Sequence, residues 1–216
     1  MAIKANASSS QKFEKKLIPA GVHVARCYGM IHIGTVTEKN AMGELQTLNK
    51  VLIDWELPLE KAVFNEEKGE QPFVFSKDFT LSMNEKANLR KLISSWRGKA
   101  LSDSEANDFD ITKLVGKECM LNIVHKASKD GTKTYANLAG VTPLPKGLEC
   151  PKQINPTRVL DYDNWNQEVF LSLPEWLASK ISSSKEYNEK FSFNAPSNND
   201  SIFNNVISDN ESELPW

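Results

Sequence analysis

The sequence predicts a mainly β domain with helices, in which five strands form a small barrel and one helix lies between the third and fourth strands. Five β-rich runs separated by polar or proline-containing turns predict the strands. One stretch with helical spacing of apolar residues follows the third run. Gly29 and Gly34 lie inside the long first run, where glycine is typical of the bulges that bend a strand to close a small barrel.

The first three strands are predicted by runs rich in β-branched and aromatic residues. The first run follows Gly21 and reads VHVARCYGMIHIGTV, and its alternation and length predict a bent strand. The second run, KVLIDWELP, begins at Lys50, and we expect it to end at Pro58 because proline cannot donate a backbone hydrogen bond. The third run, FVFSKDFTL, extends from Phe73 to Leu81.

Helical signals come next in the chain. Ser82 and Glu85 have the spacing of a capping box and predict the start of a helix, and Gly98 predicts its end. Apolar residues between these points recur at i, i+3, i+4 and i+7, namely Leu89, Leu92, Ile93 and Trp96. They predict an amphipathic helix with Trp96 in the core. A second capping box, Ser102 with Glu105, predicts a shorter helix.

Two further runs, ECMLNIVHK and TKTYANLAGV, predict the fourth and fifth strands. The dipeptide Asp130-Gly131 between them is a turn signal, and Pro143 and Pro145 close the last strand. Three strands, a helix and two strands is the order of elements in the oligonucleotide-binding barrel. The sequence therefore predicts a five-stranded barrel of that type.

Composition divides the chain into four predicted segments. Residues 1–18 form a flexible N-terminal arm, and residues 19–148 form the barrel. Residues 149–190 form an extended linker and a C-terminal helix, which the spacing of Ser172 and Glu175 starts and which we expect to dock on the barrel or on a second subunit. Residues 191–216 form a disordered tail, because 15 of the 26 are Ser, Asn, Asp or Glu and the apolar ones have no regular period.

Charge is distributed unevenly beneath a formal net charge of −2. Residues 1–150 carry 21 Lys and Arg against 18 Asp and Glu, whereas the last 26 residues carry four acids and no Lys or Arg. The chain ends in an aromatic residue with its own carboxylate directly behind acids. This arrangement predicts a partner-binding tip made of Asp209, Glu211, Glu213, Leu214, Pro215 and Trp216.

Several classes of protein are disfavoured by what the sequence lacks. Cys27, Cys119 and Cys150 are far apart and form no CxxC pair, so we expect reduced thiols. There is no apolar run long enough for a membrane helix and no secretory signal, so we expect an intracellular, cytoplasmic protein. The three histidines lack metal-ligand spacing and no nucleophile motif is present, so we expect no enzyme, cofactor or metal.

Binding a nucleic acid single strand needs cations along the phosphates and flat side chains for the bases, each stacked base contributing about 1–3 kcal/mol. Such residues recur on the predicted strands and at the end of the predicted helix. Trp55 shares the strand face of Val51 and Ile53, which favours the core. The candidate nucleic-acid-binding residues are Arg26, Tyr28, Lys50, Trp55, Phe75, Lys77, Arg97, His125, Lys126, Lys133 and Tyr135.

Roughly residues 19–148 resemble the phage-type single-stranded DNA-binding proteins found beside replication and recombination genes. The similar segments are AGVHVARC, IHIGTV, KVLIDWELP, FTLSMNEKANLRKLISSWRG, FDITKLVGKECMLNIVH and TYANLAGVTPLPKG. The resemblance implies a non-enzymatic oligonucleotide-binding barrel that binds single strands with little sequence preference. The tip, ESELPW, is similar to the acidic tip of bacterial single-stranded DNA-binding proteins, but Trp216 stands where that family has Phe, and Asn210 and Ser212 interrupt the acids.

We therefore predict a protein that coats and protects single-stranded DNA during phage replication, recombination or repair in a bacterial host cell. Its tip is expected to recruit a polymerase, primase, helicase or recombinase. One alternative is a recombination mediator or helicase-loading adaptor that uses the barrel against protein. Another is an RNA-binding barrel protein, because stacking platforms do not distinguish sugars unless a 2′-OH contact is present. The sequence leaves open whether the chain forms a homo-oligomer.

Overall fold

A computed structural model describes residues 16–40 and 42–192. Strands dominate the part described, with bounds β1 Gly21–Lys39, β2 Leu45–Asn65, β3 Gly69–Thr80, β4 Glu118–Ala127, β5 Thr134–Thr142 and β6 Arg158–Leu160. The helices are α1 Asn88–Arg97, α2 Asp103–Asn107, α3 Gln167–Leu171, α4 Glu175–Ser182 and α5 Lys185–Ser192. The predicted mainly β class with helices is confirmed.

The strands form one sheet with the order β3-β2-β1-β4-β5, in which neighbours are antiparallel. The long β1 belongs to both halves, because Gly21 to Arg26 pair with β4 and Arg26 to Lys39 pair with β2. Among the described residues, no hydrogen-bond ladder joins β3 to β5, so the sheet stays open and the predicted closed barrel does not form. The short β6 pairs in parallel with Gly29 to Ile31 of β1.

The five predicted strands are confirmed in position, but β6 was missed, and β2 is longer than predicted at both ends. The strand β2 continues through Pro58 to Asn65 instead of ending there. Its pairing with β3 shifts register between Leu57 and Lys61, so Pro58 lies in a bulge. A residue outside the ladder loses nothing by lacking a backbone donor, which explains why the strand tolerates proline.

The predicted amphipathic helix is present as α1, but it begins later than its sequence signal. Its four apolar residues are buried as predicted, and Gly98 ends it with a left-handed φ of 66°. The helix starts after Ala87, with no side-chain cap, and Ser82 instead bonds within the preceding turn. The second capping box is confirmed, because the Ser102 hydroxyl accepts from the Glu105 amide and the Glu105 carboxylate accepts from the Ser102 amide.

Two apolar clusters lie on opposite sides of the sheet. The inner cluster joins the sheet to α1 and includes Trp55 and Trp96, whose ring centroids are 5.9 Å apart. The outer cluster joins residues of β1 and β2 to the helices α3 and α4, through Ile31, Ile33, Val36, Leu52, Leu160, Phe170, Leu173, Leu177 and Ile181. The C-terminal helix α4 packs on the sheet, which is one of the two predicted docking surfaces, although it begins after Pro174 and not at Ser172.

Residues 150–160, predicted as an extended linker, lie along the outer side of the sheet. Arg26 donates to the carbonyls of Cys150 and Pro151, each at 3.2 Å. The fully buried Glu56 carboxylate accepts from the amides of Ile154 and Asn155. We call residues 150–160 the strap, since they connect β5 to the C-terminal helices while remaining bonded to the sheet.

Both chain ends extend beyond the described residues. Residues 1–15 of the predicted arm lie outside them, whereas Ile18 is buried in the inner cluster. The predicted tail begins inside α5, which ends at Ser192, and residues 193–216 lie outside the described part. No helix within residues 16–40 and 42–192 has the length and apolar character needed to cross a membrane.

Candidate nucleic-acid interface

Three of the predicted stacking rings are buried, which corrects the assignment of Tyr28, Trp55 and Phe75 as binding residues. For Trp55 the burial confirms the core position that its strand face favoured. Trp55 is 0% exposed, and Phe75 packs against it at a centroid distance of 6.2 Å. Both point to the inner side because they share strand parity with the other core residues of β2 and β3. Tyr28 is buried beneath the Arg158 guanidinium at 5.3 Å, and burial raises the pKa of its hydroxyl.

Two predicted phosphate-binding cations are occupied by internal partners. Arg26 donates to Gly116 and to the strap, and it pairs with Glu118 at 3.3 Å. Lys50 is buried and forms ion pairs with Glu38 and, at 2.7 Å, with Asp78. Burial lowers the pKa of Lys50, but the bonds to these carboxylates outweigh that cost and leave the pKa raised. Neither cation is available to a phosphate without breaking these contacts.

Arg97 and Lys77 lie apart from the candidates on β4 and β5. Arg97 is exposed, but its guanidinium lies over the Phe109 ring at 5.7 Å and pairs with Glu105 at 3.5 Å. Lys77 is half-buried on β3, with its Nζ 5.8 Å from the Phe79 ring centroid. Among the described residues, no side-chain contact links Arg97 or Lys77 to the candidates on β4 and β5.

The β4–β5 hairpin brings Lys126 and Tyr135 together, because they are directly paired in the antiparallel register. Leu121 and Ile123 of β4 point into the inner cluster, so Lys126 lies on the opposite, outer face. Tyr135 is 48% exposed, and cross-strand partners have Cβ atoms about 5 Å apart. The side chains of Lys126 and Tyr135 are therefore neighbours on this face, and both are exposed. We call Val124, Lys126, Tyr135 and Asn137 the hairpin face.

The turn at the end of this hairpin adds positive charge. Lys129 and Lys133 are exposed and flank a turn in which Gly131 has a φ of 70°. Asp130 is the one acid between Cys119 and Thr142, against three lysines. Hydrogen bonds from Ser128 and Thr132 lower the pKa of Asp130 to about 2, and they direct its carboxylate into the turn. The hairpin is consequently cationic at neutral pH.

His125 does not belong to the hairpin face. It pairs with Ala136, whose side chain packs toward the inner cluster, and its Nε2 donates to the Ile18 carbonyl at 2.8 Å. Lys129, by contrast, belongs to the cationic hairpin although the sequence prediction missed it. Its position beside the Asp130-Gly131 turn signal could have identified it, because a hairpin turn places flanking side chains in solvent.

The structure places Lys126 beside Tyr135 and keeps Lys133 on the same hairpin. Tyr28, Trp55 and Phe75 are buried, and the cationic groups of Arg26 and Lys50 are engaged by internal partners. The predicted tip residues Asp209, Glu211, Glu213, Leu214, Pro215 and Trp216 lie outside the described residues. In the described ranges, no group of three or more His, Cys, Asp or Glu residues is arranged to hold a metal ion.

No protein-family model matches this chain, and no curated protein sequence matches it either.

Proposed function

We propose that this chain binds single-stranded DNA on the hairpin face and acts by binding rather than by catalysis. The observation that carries the proposal is the direct cross-strand pairing of Lys126 with the half-exposed Tyr135, beside Lys129 and Lys133. This combination matches what an unpaired strand requires: a ring on which a base stacks and cations that contact neighbouring phosphates.

We further propose that the sheet is an oligonucleotide-binding barrel opened between its edge strands. The strand order β3-β2-β1-β4-β5 with a helix between β3 and β4 supports this assignment. The helix α1 supports it as well, since it packs against both β3 and β5. At the β5 edge, the Ser95 hydroxyl donates to the Val141 carbonyl and Gly98 lies close to Pro143.

The size of the site limits what one protomer contributes. One exposed ring supplies about 1–3 kcal/mol of stacking. Three lysines on three phosphates give a slope of about −2 for the logarithm of the binding constant against the logarithm of salt concentration on a single strand. Affinity per protomer is therefore modest, and coating a long strand depends on many protomers binding side by side.

The role in the cell follows from the resemblance in the sequence. Bound along a strand, the protein keeps DNA unpaired and shielded during replication, recombination or repair, and the tip from Asp209 to Trp216 recruits a polymerase, primase, helicase or recombinase. The acidic composition of the last 26 residues supports a partner with a basic pocket.

The test is a fluorescence-anisotropy titration of labelled oligo(dT) at several salt concentrations. Lys126→Ala combined with Tyr135→Ala is expected to weaken binding about 10- to 100-fold, because it removes one stacked base and one phosphate contact. The control combines Phe64→Ala with Lys68→Ala at the tip of the β2–β3 hairpin, which also carries an exposed ring and lysine. An equal loss in both variants contradicts the proposed site.

Two further outcomes distinguish the alternatives. Absence of oligo(dT) binding at low salt contradicts the function and favours the mediator or adaptor that binds protein. Tighter binding of a matched RNA oligomer than of DNA favours the RNA-binding alternative.

A further inference from the structure

A cleft of about 570 Å³ lies between the end of β3 and the segment that leads into α1. It is separate from the hairpin face, with which it shares no lining residue. Eight of its eleven lining residues are polar or charged, and those relevant to a ligand are Lys77, Phe79, Asn84, Lys86 and Asn88.

The charge in the cleft is not balanced. The lining contains three lysines and a single carboxylate, Asp78. That carboxylate is shared between Lys50 at 2.7 Å and Lys180 at 3.5 Å, and Lys50 also pairs with Glu38. Lys77 and Lys86 form no ion pair with any described residue. Two positive charges therefore face the cleft without a counterion from the described chain.

Lys77 carries most of the inference because it is half-buried. Its Nζ lies over the Phe79 ring, 5.8 Å from the centroid, and it makes no hydrogen bond to a residue in the described part of the chain. Partial removal of an ammonium group from water costs free energy unless an acceptor replaces the water. A cation–π contact offsets only about 0.5–2 kcal/mol of this cost. An anion bound in the cleft supplies the acceptor that the Lys77 ammonium group lacks among the described residues.

Neutral donors add to the two lysines. The Asn84 side-chain oxygen accepts from the Lys86 amide, which leaves the Asn84 NH₂ group free of hydrogen bonds to the described residues. The helix α1 begins here with no side-chain cap and no acid in its first turn, so its positive dipole end reinforces the field of the lysines. Amide donors and ammonium groups together are the set that recognises phosphate oxygens.

We propose that this cleft binds a phosphate monoester, in the form of the terminal phosphate of a nucleic acid strand. A monoester carries a charge of about −1.5 to −2 at neutral pH, with a second pKa near 6. A phosphodiester inside the strand carries only −1, so a terminal phosphate suits two uncompensated lysines better. The assignment to a strand end rests on the proposed function, whereas the preference for a monoester rests on the cleft alone.

The experiment compares oligo(dT) labelled at its 3′ end, with and without a 5′-phosphate, in anisotropy titrations with the full chain. Two charge-assisted contacts are expected to favour the phosphorylated oligomer about tenfold. Lys77→Met keeps the aliphatic contact with Phe79 and removes the charge, and together with Lys86→Gln it is expected to abolish the preference. Lys68→Gln, an exposed lysine outside the cleft, is the control and keeps the preference.

Different failures have different meanings. Equal binding of both oligomers, or a preference that survives the double substitution, overturns the cleft assignment while leaving DNA binding intact. If neither oligomer binds, the proposed function fails, and calorimetric titration with thymidine monophosphate and inorganic phosphate tests the cleft separately. If either ligand binds the unsubstituted chain and binding is lost in the double variant, the cleft is a monoester site for free ligands. If neither ligand binds, the cleft assignment is overturned.

Discussion

The outer side of the sheet contains two regions that differ in what covers them. On β1 and β2, outward residues such as Ile31, Ile33 and Leu52 form an apolar surface that α3 and α4 bury. On β4 and β5, the outward residues include Lys126 and Asn137, and this region stays accessible. The strands obey the same alternation in both regions. The apolar area that each region offers decides whether a helix covers it.

The covered region also contains two carboxylates, which the strap makes compatible with burial. Asp54 and Glu56 lie at outward positions of β2 and are both 0% exposed. Arg158 binds Asp54 through two nitrogens at 2.9 and 3.1 Å, and Ser76 donates to the same carboxylate. On the hairpin, the charged side chains remain in solvent. On β2, internal partners replace water: Arg158 pairs with Asp54, and amide groups of the strap bond to Glu56.

The largest expected effect on stability comes from weakening the packing of α4 on the outer side of the sheet. Ile181→Ala is expected to lower the free energy of unfolding by about 3–4 kcal/mol, because the side chain is fully buried in the outer cluster. Trp176→Ala lies on the same helix, but its side chain is 58% exposed, and we expect about 0.5 kcal/mol or less. Urea unfolding measures both. Equal effects would mean that α4 is not held on the sheet.

A slightly smaller effect is expected from the strap. Arg158→Met leaves the buried Asp54 without its charged partner and is expected to cost about 3 kcal/mol of unfolding free energy. The control is Lys152→Met, an exposed lysine of the same strap, for which no measurable change is expected. Oligo(dT) affinity should remain at the unsubstituted value in both variants. A loss of affinity in Arg158→Met alone would show that the two outer regions are coupled.

The smallest effect concerns the ion pairs at the edge of the covered region. Hydrogen bonding from Lys50 lowers the pKa of Glu38, and for Asp78 the bonds from Lys50 outweigh the burial that raises its pKa. Both carboxylates have pKa values in the folded state below the ordinary values of 4.5 for Glu38 and 3.8 for Asp78. The stabilisation that their ion pairs provide is therefore present above the ordinary pKa values and is lost as the pH falls through the lowered ones.

We expect the acid-side loss from these two carboxylates to be about 1 kcal/mol, since both are partly exposed and screened by solvent. Urea unfolding between neutral and acid pH measures it. Glu38→Gln with Asp78→Asn should flatten the slope in that range. The exposed Glu85→Gln serves as the control, and a slope equal to that of the control contradicts the role of the ion pairs.

Several residues show where prediction from the sequence succeeded. Trp96 and the apolar face of α1 were placed in the core correctly, because helical periodicity is a local property. Lys126 and Tyr135 were chosen separately, and their direct pairing follows from the Asp130-Gly131 turn that sets the hairpin. Ser102 and Glu105 form the capping box that their spacing predicts.

Other residues show why the rest of the site could not be predicted. The candidates Tyr28 and Lys50 lie on the outer side of strands, yet Arg158 covers one and Glu38 and Asp78 neutralise the other. The local sequences of β1 and β2 do not indicate these partners. The start of α1 was missed for a related reason, since Ser82 satisfies a turn instead of the helix terminus.

The sequence by itself determined the five main strands, the helices α1, α2 and α4, and which side chains alternate toward a core, because these depend on periods of a few residues. It did not indicate β6, α3 or α5. The tertiary structure alone decided which cations remain free and which rings reach solvent. Those outcomes depend on partners far along the chain, as when Arg26 binds the strap more than a hundred residues away. The free energy of a charge or a ring is fixed by everything that surrounds it in the folded chain, and a local pattern cannot encode that environment.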